Sequence, residues 1–303
     1  MLENVSFDQL RIFLAAVDEG SFSAAARRVR RTQSAVSEAI ANLENQLDVL
    51  LFDRGGRYPK LTTEGAVLLS DARAAIAAVD GLRARAKGIS GGLEAELSVV
   101  VDVFLPISMI ADAAQEFRLR FPNTPLRLYV EALGGAVQPV LSGSASIGVV
   151  GSLPTLPDGL TKERITEVAF AMVASKSHPL AAMEGVIPAA ELARHVQLVL
   201  TDRSTLSEGR QFGVMSPLNW RLADLFAKHA FLVSGLGWGG MPMHSVRNDI
   251  DEGRLVELRS EDVPPGGLAL PMFAIYRNSE PPGPAGRWLI DRLKSNSSTK
   301  AAN

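Results

Sequence analysis

The chain has 303 residues, of which 47% are hydrophobic, and its 31 Lys and Arg residues nearly balance 33 Asp and Glu residues. This length and apolar content predict two or three packed domains, and the absence of cysteine excludes disulfides, thiolate metal sites and thiol nucleophiles. No apolar run of about 18 residues and no basic, apolar leader is present, so we expect a cytoplasmic protein without membrane contact.

The N-terminal segment predicts three short helices with a tight turn between the second and the third. Ser6 and Gln9 form a capping box for the first helix, which should close at Gly20. Ser21 caps a second, alanine-rich helix, whose small side chains let two helices cross closely. Thr32 caps the third helix.

The third helix is the candidate for reading base edges in a major groove. Its apolar face should point inward, and it consists of Ala35, Val36, Ile40, Leu43 and Leu47. The polar residues of the turn and of the outward face remain available for DNA, and they are Arg31, Thr32, Gln33, Ser34, Ser37 and Glu38. Gln33 can form two hydrogen bonds to adenine, whereas Glu38 can accept from cytosine or form a surface pair with an arginine.

A basic hairpin tip follows this helix. Arg54 and Arg57 flank Gly55 and Gly56, so two long cations stand on a flexible turn suited to phosphate or minor-groove contact. An ordinary solvated hairpin is the alternative. With the three helices, the hairpin predicts a winged helix-turn-helix domain over residues 1–62.

A long helix is predicted from Thr63 to Gly88, with Thr62 or Thr63 as its cap. Apolar residues at steps of four and three predict a coiled-coil seam, formed by Leu68, Ala72, Ala75, Val79, Leu82 and Ala86. We interpret residues 63–89 as a linker and dimerisation helix and residues 89–92 as a hinge. The alternative is a helix that packs on its own C-terminal domain.

Several ordered blocks of the N-terminal region resemble the LysR-type transcriptional regulators. They are Phe7–Leu14, Gly20–Ala26, Gln33–Ser37, Leu43–Glu44, Leu51–Arg54 and Leu61–Gly65. One departure is Asp48, where that family usually has a glycine, although aspartate tolerates a left-handed turn. The resemblance implies that the third helix enters the DNA groove, that the wing follows the backbone, and that a long linker helix leads to an effector domain resembling periplasmic solute-binding proteins.

Residues 93–303 alternate apolar strands with helical patterns, which predicts an α/β fold. We expect lobe I to comprise residues 93–163 and 268–295 and lobe II to comprise residues 164–267, with a polar, disordered end at Ser295–Asn303. Strands are expected at 97–103, 126–131, 147–150, 168–175 and 268–276. Two lobes joined by two crossing segments leave a cleft at the carboxyl ends of their strands.

Residues at strand ends and helix starts are the candidates for binding a small-molecule effector in this cleft. They are Asp102, Phe104, Ser108, Gly134, Gly135, Gly151, Ser152, Arg203, Ser204, Gly237 and Trp238. Arg203 could hold a carboxylate, whereas Asp102 would favour an amine or hydroxyl. Each has a structural alternative, because Asp102 could cap a helix, Arg203 could be solvated and Trp238 could be core.

The sequence from Gly235 to Gly240 has the GxGxxG spacing of a dinucleotide-binding turn. A helix capped by Asp224 and closed at Gly235 is predicted before it, whereas that turn must follow a strand. No catalytic motif is present, and His178, His195, His229 and His244 lack metal-ligand spacing. We therefore predict no catalytic residue, metal or cofactor.

These patterns predict a DNA-binding transcriptional regulator that senses a small-molecule effector. Its expected partners are double-stranded DNA, the effector and further copies of the chain in a homodimer and a homotetramer, with RNA polymerase as a further candidate. The alternative is a soluble small-molecule-binding or enzymatic α/β protein with a structural helical head. A steep fall of DNA affinity with salt would distinguish the regulator from this alternative.

Overall fold

The computed structural model describes residues 5–55, 58–261, 263–264 and 267–300, with side chains up to residue 295. The chain divides into two compact units, Met1–Lys87 and Gly88–Asn303. The first is a helical head and the second an α/β domain. Within the described ranges, no helix is both long and apolar enough to cross a membrane.

Three helices form the head, namely α1 (Phe7–Glu19), α2 (Phe22–Val29) and α3 (Gln33–Leu47). Each begins after the predicted cap. The hydroxyl oxygens of Ser6, Ser21 and Thr32 each accept a hydrogen bond at 3.2 Å from a backbone N–H three residues further on.

All three helices end at a residue with left-handed backbone conformation, namely Gly20, Arg30 and Asp48. Asp48 has φ 54° and ψ 37°, so the aspartate makes the turn for which the resemblance expects glycine. The short polar side chain of aspartate makes this region accessible. The predicted closure of α3 is therefore confirmed.

A short antiparallel hairpin of β1 (Phe52–Asp53) and β2 (Lys60–Leu61) follows α3. Its predicted tip residues Gly56 and Arg57 lie outside the described residues. The hairpin packs on the helices through Phe52, whose ring contacts Phe13 and Phe22 edge-on at centroid distances of 5.7 and 5.2 Å.

The next helix, α4 (Thr63–Ser90), begins after Thr62, whose Oγ1 accepts the Gly65 N–H at 2.9 Å. It ends two residues later than predicted, because Gly92 rather than Gly88 adopts the left-handed conformation that turns the chain. The Leu93 N–H then donates to the Gly88 carbonyl at 3.0 Å. Residues 89 and 90 thus belong to the helix and not to a hinge.

The first part of the predicted coiled-coil seam packs inside the head. Ala72 is buried in the core around α1 and α3, and Leu68 packs against the same core. Further along α4, Leu82 and Ile89 are 60% and 51% exposed. The apolar stripe of α4 therefore has one half that stabilises the head and one half that is open.

Lobe I is built on three parallel strands whose central strand β3 is buried throughout, as its continuous apolar run predicts. Its elements are β3 (Leu97–Asp102), α5 (Ile107–Arg120), β4 (Leu126–Glu131), a 3-10 turn at Leu133–Ala136, α6 (Gln138–Ser142) and β5 (Ile147–Val150).

The chain enters lobe II through one long strand and returns to lobe I through another. The elements are β6 (Leu160–Ser175), a 3-10 turn at Pro179–Ala182, α7 (Ala189–Leu192), β7 (Gln197–Leu200), β8 (Asn219–Leu222), α8 (Leu225–Val233), β9 (Trp238–Pro242), α9 (Met243–Asp251), β10 (Leu255–Glu257), β11 (Leu268–Arg277) and α10 (Pro284–Lys300).

The two lobes share a sheet with strand order β4-β3-β5-β11-β6-β9-β7-β8, and β10 also pairs with β6. β6 and β11 are the two crossing strands and run antiparallel, with a register shift between Met272 and Phe273. Because β11 pairs with β6 along its length, β6 begins at Leu160 rather than at the predicted Val168. The apolar core of lobe I extends across these two strands to Leu200 of β7, and lobe II has a further core of its own.

The last helix continues into the segment Ser295–Asn303 that is predicted to be disordered, of which residues 301–303 lie outside the described residues. α10 continues to Lys300, and its apolar residues pack into the core of lobe I, namely Ala285, Leu289, Ile290 and Leu293. This packing stabilises α10 although its C-terminal part is polar in sequence, because helix stability in proteins comes mainly from one buried apolar face.

Candidate functional site

The N-terminal face of α3 presents the predicted polar side chains to the outside. Gln33, Ser34 and Glu38 are exposed and Ser37 is half-buried, while Val36 and Ile40 are fully buried on the opposite face. Among the described residues, neither Gln33 nor Glu38 has a side-chain partner. This face thus offers uncommitted donors and acceptors at a helix start, the geometry of a helix that reads a major groove.

The arginines before α3 differ in their availability. Arg31 pairs with Asp8 at 3.0 Å and Arg28 contacts Asp18 and Glu19. Within the described part of the chain, Arg30 forms no ion pair, and it stands in the turn that leads into α3. Arg30 was not among the predicted contacts, although its place next to the cap of the helix could have indicated it.

Arg54 has a structural partner that the sequence did not indicate. Its Nη2 lies 2.7 Å from Oε2 of Glu44, whose Oε1 accepts the N–H groups of Leu51 and Phe52 at 2.8 and 3.1 Å. The Glu44 carboxylate is 6% exposed and the Arg54 side chain 44%. Arg54 therefore ties the hairpin to α3, and its exposed side remains open to a phosphate.

A cavity of about 410 Å³ lies between the two lobes of the C-terminal unit. Lobe I and the crossing strands contribute Phe104, Leu133, Ser152, Pro154, Phe170, Ala171, Met172, Leu268 and Leu270. Lobe II contributes Gln197, Leu198, Val199, Leu200, Phe212, Gly213, Met215, Lys228, Gly240 and Val263. The walls are mostly apolar and aromatic with few polar groups, as is typical of small-molecule sites.

Two of the three polar side chains in this wall are committed to the protein. The Ser152 hydroxyl donates to Asp102 at 2.5 Å and accepts the Leu133 N–H at 2.8 Å. The Gln197 amide bonds the backbone of Gly213 and Met215 at 2.7 Å each, which holds the following loop on β7. Both side chains shape the cavity and have hydrogen-bond partners within the protein.

The third polar side chain is Lys228 of α8. The residue is 4% exposed, and its ammonium group donates to the Gly240 carbonyl at 2.7 Å. Burial lowers the pKa of this lysine from 10.5 to about 8. Of the cavity-lining residues that the structure describes, none is acidic.

Two hydrogen bonds join the lobes beside the cavity, and we call this pair the interlobe latch. The N–H of Gly134 donates to Ser207 Oγ at 3.1 Å, and the N–H of Gly135 donates to Asp202 Oδ2 at 2.7 Å. A Cβ at Gly134 would collide with the Oγ of Ser204. The predicted residues Gly134, Gly135 and Ser204 thus lie together, in contact across the lobes.

Asp102 lies behind the cavity wall. The residue is 1% exposed, and its carboxylate accepts hydrogen bonds from Phe104 N, Gly151 N, and the N and Oγ of Ser152. Burial raises its pKa, although these hydrogen bonds act in the opposite direction. Asp102 and Gly151 therefore fix the start of the loop that carries Ser152 and do not line the cavity.

The remaining predicted positions are dispersed. Ser108 is exposed on α5, and Arg203 is exposed without an ion pair among the described residues. Trp238 is buried in the core of lobe II, where its indole N–H donates to the carbonyls of Leu192 and His195 at 3.2 and 3.3 Å. Gly237 allows close backbone approach, because a Cβ there would meet the Val196 carbonyl. Of the predicted residues, Phe104 and Ser152 line the cavity.

Sequence reasoning missed Lys228 and most of the lobe II wall. A signal for Lys228 exists, since Leu225, Lys228 and Leu232 are spaced to share one face of α8. A lysine on the apolar face of a helix that otherwise packs inward indicates a buried charge.

The GxGxxG spelling occurs in the opposite structural order to a dinucleotide fold. Gly235, with φ 75°, follows α8, and β9 begins at Trp238. The motif therefore leads from a helix into a strand, as predicted, whereas a dinucleotide-binding turn leads from a strand into a helix.

Comparison with known proteins agrees with this architecture. A family model described as the LysR substrate binding domain matches residues 90–298, and one described as a bacterial regulatory helix-turn-helix protein of the lysR family matches residues 7–66. The HTH-type transcriptional regulator AceR of Acinetobacter baumannii is 30% identical over 293 residues, which cover 96% of this chain and 97% of that protein. The transcriptional activator AllS of Salmonella typhimurium is 28% identical over 268 residues, 87% of each chain.

Solved structures share the fold at low sequence identity. A cysteine mutant of OxyR from Corynebacterium glutamicum aligns over 99% of this chain and 96% of its own, with a TM-score of 0.59 and 19% identity. A full-length BenM variant aligns over 98% and 97%, with a TM-score of 0.53 and 20% identity.

A helix-turn-helix head followed by a two-lobed α/β domain with an interlobe cavity defines a ligand-responsive DNA-binding protein. The chain belongs to the LysR family of bacterial transcriptional regulators. It is thus a DNA-binding regulator with an effector-binding domain, which confirms the predicted class. Because the family consists of regulators rather than enzymes, the enzymatic alternative is set aside.

Proposed function

We propose that the protein reads an interrupted palindrome with two copies of its head and that an effector in the interlobe cavity changes how it binds there. The cavity of about 410 Å³, bordered by the interlobe latch, is the observation that carries this proposal. A ligand there touches both lobes, so its binding energy can favour one arrangement of the lobes over another.

Base reading is assigned to Gln33, Ser34, Ser37 and Glu38. Their exposure at the start of α3 supports this assignment, and Thr32 and Arg31 flank it at the same turn. Arg30, which forms no ion pair among the described residues, is assigned to phosphates together with the exposed side of Arg54, and Arg57 is proposed on the sequence alone.

The proposed assembly is a homodimer through α4 that forms a homotetramer through the C-terminal domains. Leu82 and Ile89 are exposed apolar side chains on α4. The sheet also ends in apolar side chains at both edges, with Leu128 and Val130 on β4 and Trp220 on β8. Covering these surfaces with second copies would remove them from water. We further propose that the protein binds the chromosome in the cytoplasm and that RNA polymerase is a further partner.

The test begins with recovery of DNA fragments. Full-length protein is mixed with sheared DNA from its source organism at moderate salt, and the retained fragments are sequenced beside those of Gln33→Ala. We expect a recurring palindromic site that the variant loses, with about 1–3 kcal/mol of discrimination at one base position if Gln33 reads adenine. Equal enrichment by both proteins would remove Gln33 from base reading, and no enrichment over random DNA would contradict the proposed function.

Footprinting on the recovered site then tests the effector response. A pool of small metabolites is screened for molecules that raise the unfolding temperature of the C-terminal domain, and the binders are added to the footprint. We expect a bound metabolite to shorten, lengthen or bend the protected region. A footprint that is the same with and without every cavity binder would contradict the coupling of lobes and heads.

A further inference from the structure

Lys228 is the one charged side chain among the described residues that line the interlobe cavity. It belongs to α8, Leu225–Val233, whose other residues are apolar except His229, which pairs with Asp249 at 2.8 Å, and it is 4% exposed. Its neighbour Leu232 is fully buried. The position is therefore a core position of lobe II that carries an ammonium group to the cavity surface.

The hydrogen bonding of Lys228 is incomplete. An ammonium group has three donors, and the structure gives one acceptor, the Gly240 carbonyl at 2.7 Å. Holding a carbonyl requires no charge, and a buried, unpaired charge is costly. The depressed pKa of about 8 has desolvation as its cause and no compensating carboxylate. The site thus holds a cation for which the described protein supplies no counter-ion.

The rest of the cavity wall restricts what can supply that counter-ion. Ser152 and Gln197 are hydrogen-bonded within the protein. Phe104 and Phe170 form an edge-to-face pair at 4.6 Å on the lobe I side. A ligand with several charges or many polar groups would lose its hydration here without finding partners, whereas an apolar body is favoured by the walls.

We propose that Lys228 determines the specificity of the cavity and that the effector is a small, mainly apolar molecule with a single carboxylate, which pairs with the Lys228 ammonium group. The inference rests on the proposed function of the cavity as the effector site. It moves the carboxylate-binding role from Arg203, which is exposed and away from the cavity wall, to a residue on α8. Pairing of two buried charges with good hydrogen bonds compensates the desolvation of both.

Matched ligand pairs test the proposal. Hexanoate, octanoate and phenylacetate are each compared with the corresponding primary amide by calorimetry on the full-length protein. In the wild type we expect at least one carboxylate to bind about tenfold or more tightly than its amide. In Lys228→Met, which keeps the volume and removes the charge, that preference should vanish. The control Lys176→Met removes an exposed lysine of the same lobe and should keep the preference.

The pH dependence gives a second readout. Because a bound carboxylate raises the pKa of its ammonium partner, affinity should be constant below about pH 8 and fall above it, in the wild type and not in Lys228→Met. A second variant, Lys228→Gln, is measured in parallel so that misfolding of one substitution does not decide the outcome, and circular dichroism verifies both folds.

Three outcomes would overturn the proposal. They are equal affinity for carboxylates and amides in the wild type, no binding by any carboxylate, and a carboxylate preference that persists in both Lys228 variants. Operator recovery and metabolite-dependent footprints are measured on the same wild-type preparation. If those succeed while the carboxylates fail, the inference about Lys228 is wrong and the proposed function stands; if no operator is recovered, the proposed function itself fails.

Discussion

Each unit of the protein contains a buried charged side chain with a different environment. Glu44 in the head is fully engaged, because Arg54 and two backbone N–H groups share its carboxylate. Lys228 in the C-terminal domain has one carbonyl partner and faces a cavity. A saturated buried charge stabilises a local structure, whereas an unsaturated one at a cavity indicates ligand binding.

Glu44→Ala should destabilise the head by about 1–3 kcal/mol, because it leaves the N–H groups of Leu51 and Phe52 without their acceptor. The measurement is amide hydrogen exchange at these two positions in the full chain, where we expect clearly faster exchange. Glu38→Ala, an exposed glutamate of the same helix, is the control and should leave both rates unchanged. Equal protection in all three proteins would show that the carboxylate does not hold the hairpin.

Lys228→Met should stabilise the C-terminal domain near pH 7 by up to about 3 kcal/mol, since the wild type buries a charge that the variant lacks. The folded-state pKa of about 8 lies below the ordinary 10.5. Below pH 8 both states are protonated and the wild type carries the full cost. Between pH 8 and 10.5 the folded state releases its proton first, so wild-type stability rises with pH and the difference shrinks.

Urea unfolding at about pH 7 and about pH 9.5 measures this difference. Tryptophan fluorescence reports on the C-terminal domain alone, because Trp220, Trp238 and Trp288 all lie in it. Lys176→Met is the control for an exposed charge. A wild type and Lys228→Met with parallel pH profiles would contradict a titrating, buried lysine.

At the scale of elements, the turn at Leu133–Ala136 and the loop around Asp202 and Ser207 meet across the lobes. Asp202 keeps one carboxylate oxygen, Oδ1, buried and without a hydrogen-bond partner among the described residues. Such an incomplete contact is cheaper to open than a saturated one. The two crossing strands provide the continuous connection about which the lobes can move.

Gly134→Ala should open the interlobe latch, because its Cβ would collide with Ser204 Oγ and lie 2.8 Å from Ser207 Oγ. We expect faster hydrogen exchange at the Gly135 amide and greater proteolysis of the loop at 202–213. Gly81→Ala is the matched control, since a Cβ at Gly81 meets nothing within 4 Å. If Gly134→Ala protects the Gly135 amide as well as the wild type does, the latch is not a close contact.

At the scale of the whole molecule, exposed apolar side chains remain on α4 and at both edges of the large sheet. Unpaired sheet edges and apolar helix faces are surfaces that proteins usually cover. Because the proposed reading of a palindrome requires two heads, these surfaces are the candidates for contacts between copies of the chain.

Leu82→Glu should weaken dimerisation by about tenfold or more, because it places a charge in the proposed helix–helix contact. Analytical ultracentrifugation over a concentration series measures the shift from dimer to monomer, and DNA affinity should fall with it. Val186→Glu, a similarly exposed apolar residue in a loop of lobe II, serves as control. A Leu82→Glu protein with wild-type association would place the dimer contact elsewhere.

Features that depend on residues a few positions apart were predictable from the sequence. The side chains of Ser6, Ser21 and Thr32 cap their helices by bonding a backbone N–H three residues further on. Asp48 makes its turn because aspartate tolerates the left-handed backbone conformation. The winged helix-turn-helix and α/β classes follow from the order of such locally predicted helices and strands along the chain. The predicted end of α4 at Gly88 was wrong, since the local pattern fits Gly88 and Gly92 equally well.

The sequence by itself therefore determined the family, the starts of α1, α2 and α3, and the exposed polar face of α3. Tertiary structure alone decided that Arg54 pairs with Glu44, that the Asp102 carboxylate accepts hydrogen bonds from Gly151 and Ser152, and that Lys228 reaches the cavity. The physical reason is distance along the chain: periodicity and capping act within a few residues, whereas the partner of a buried charge is chosen by packing between elements that the sequence does not place side by side.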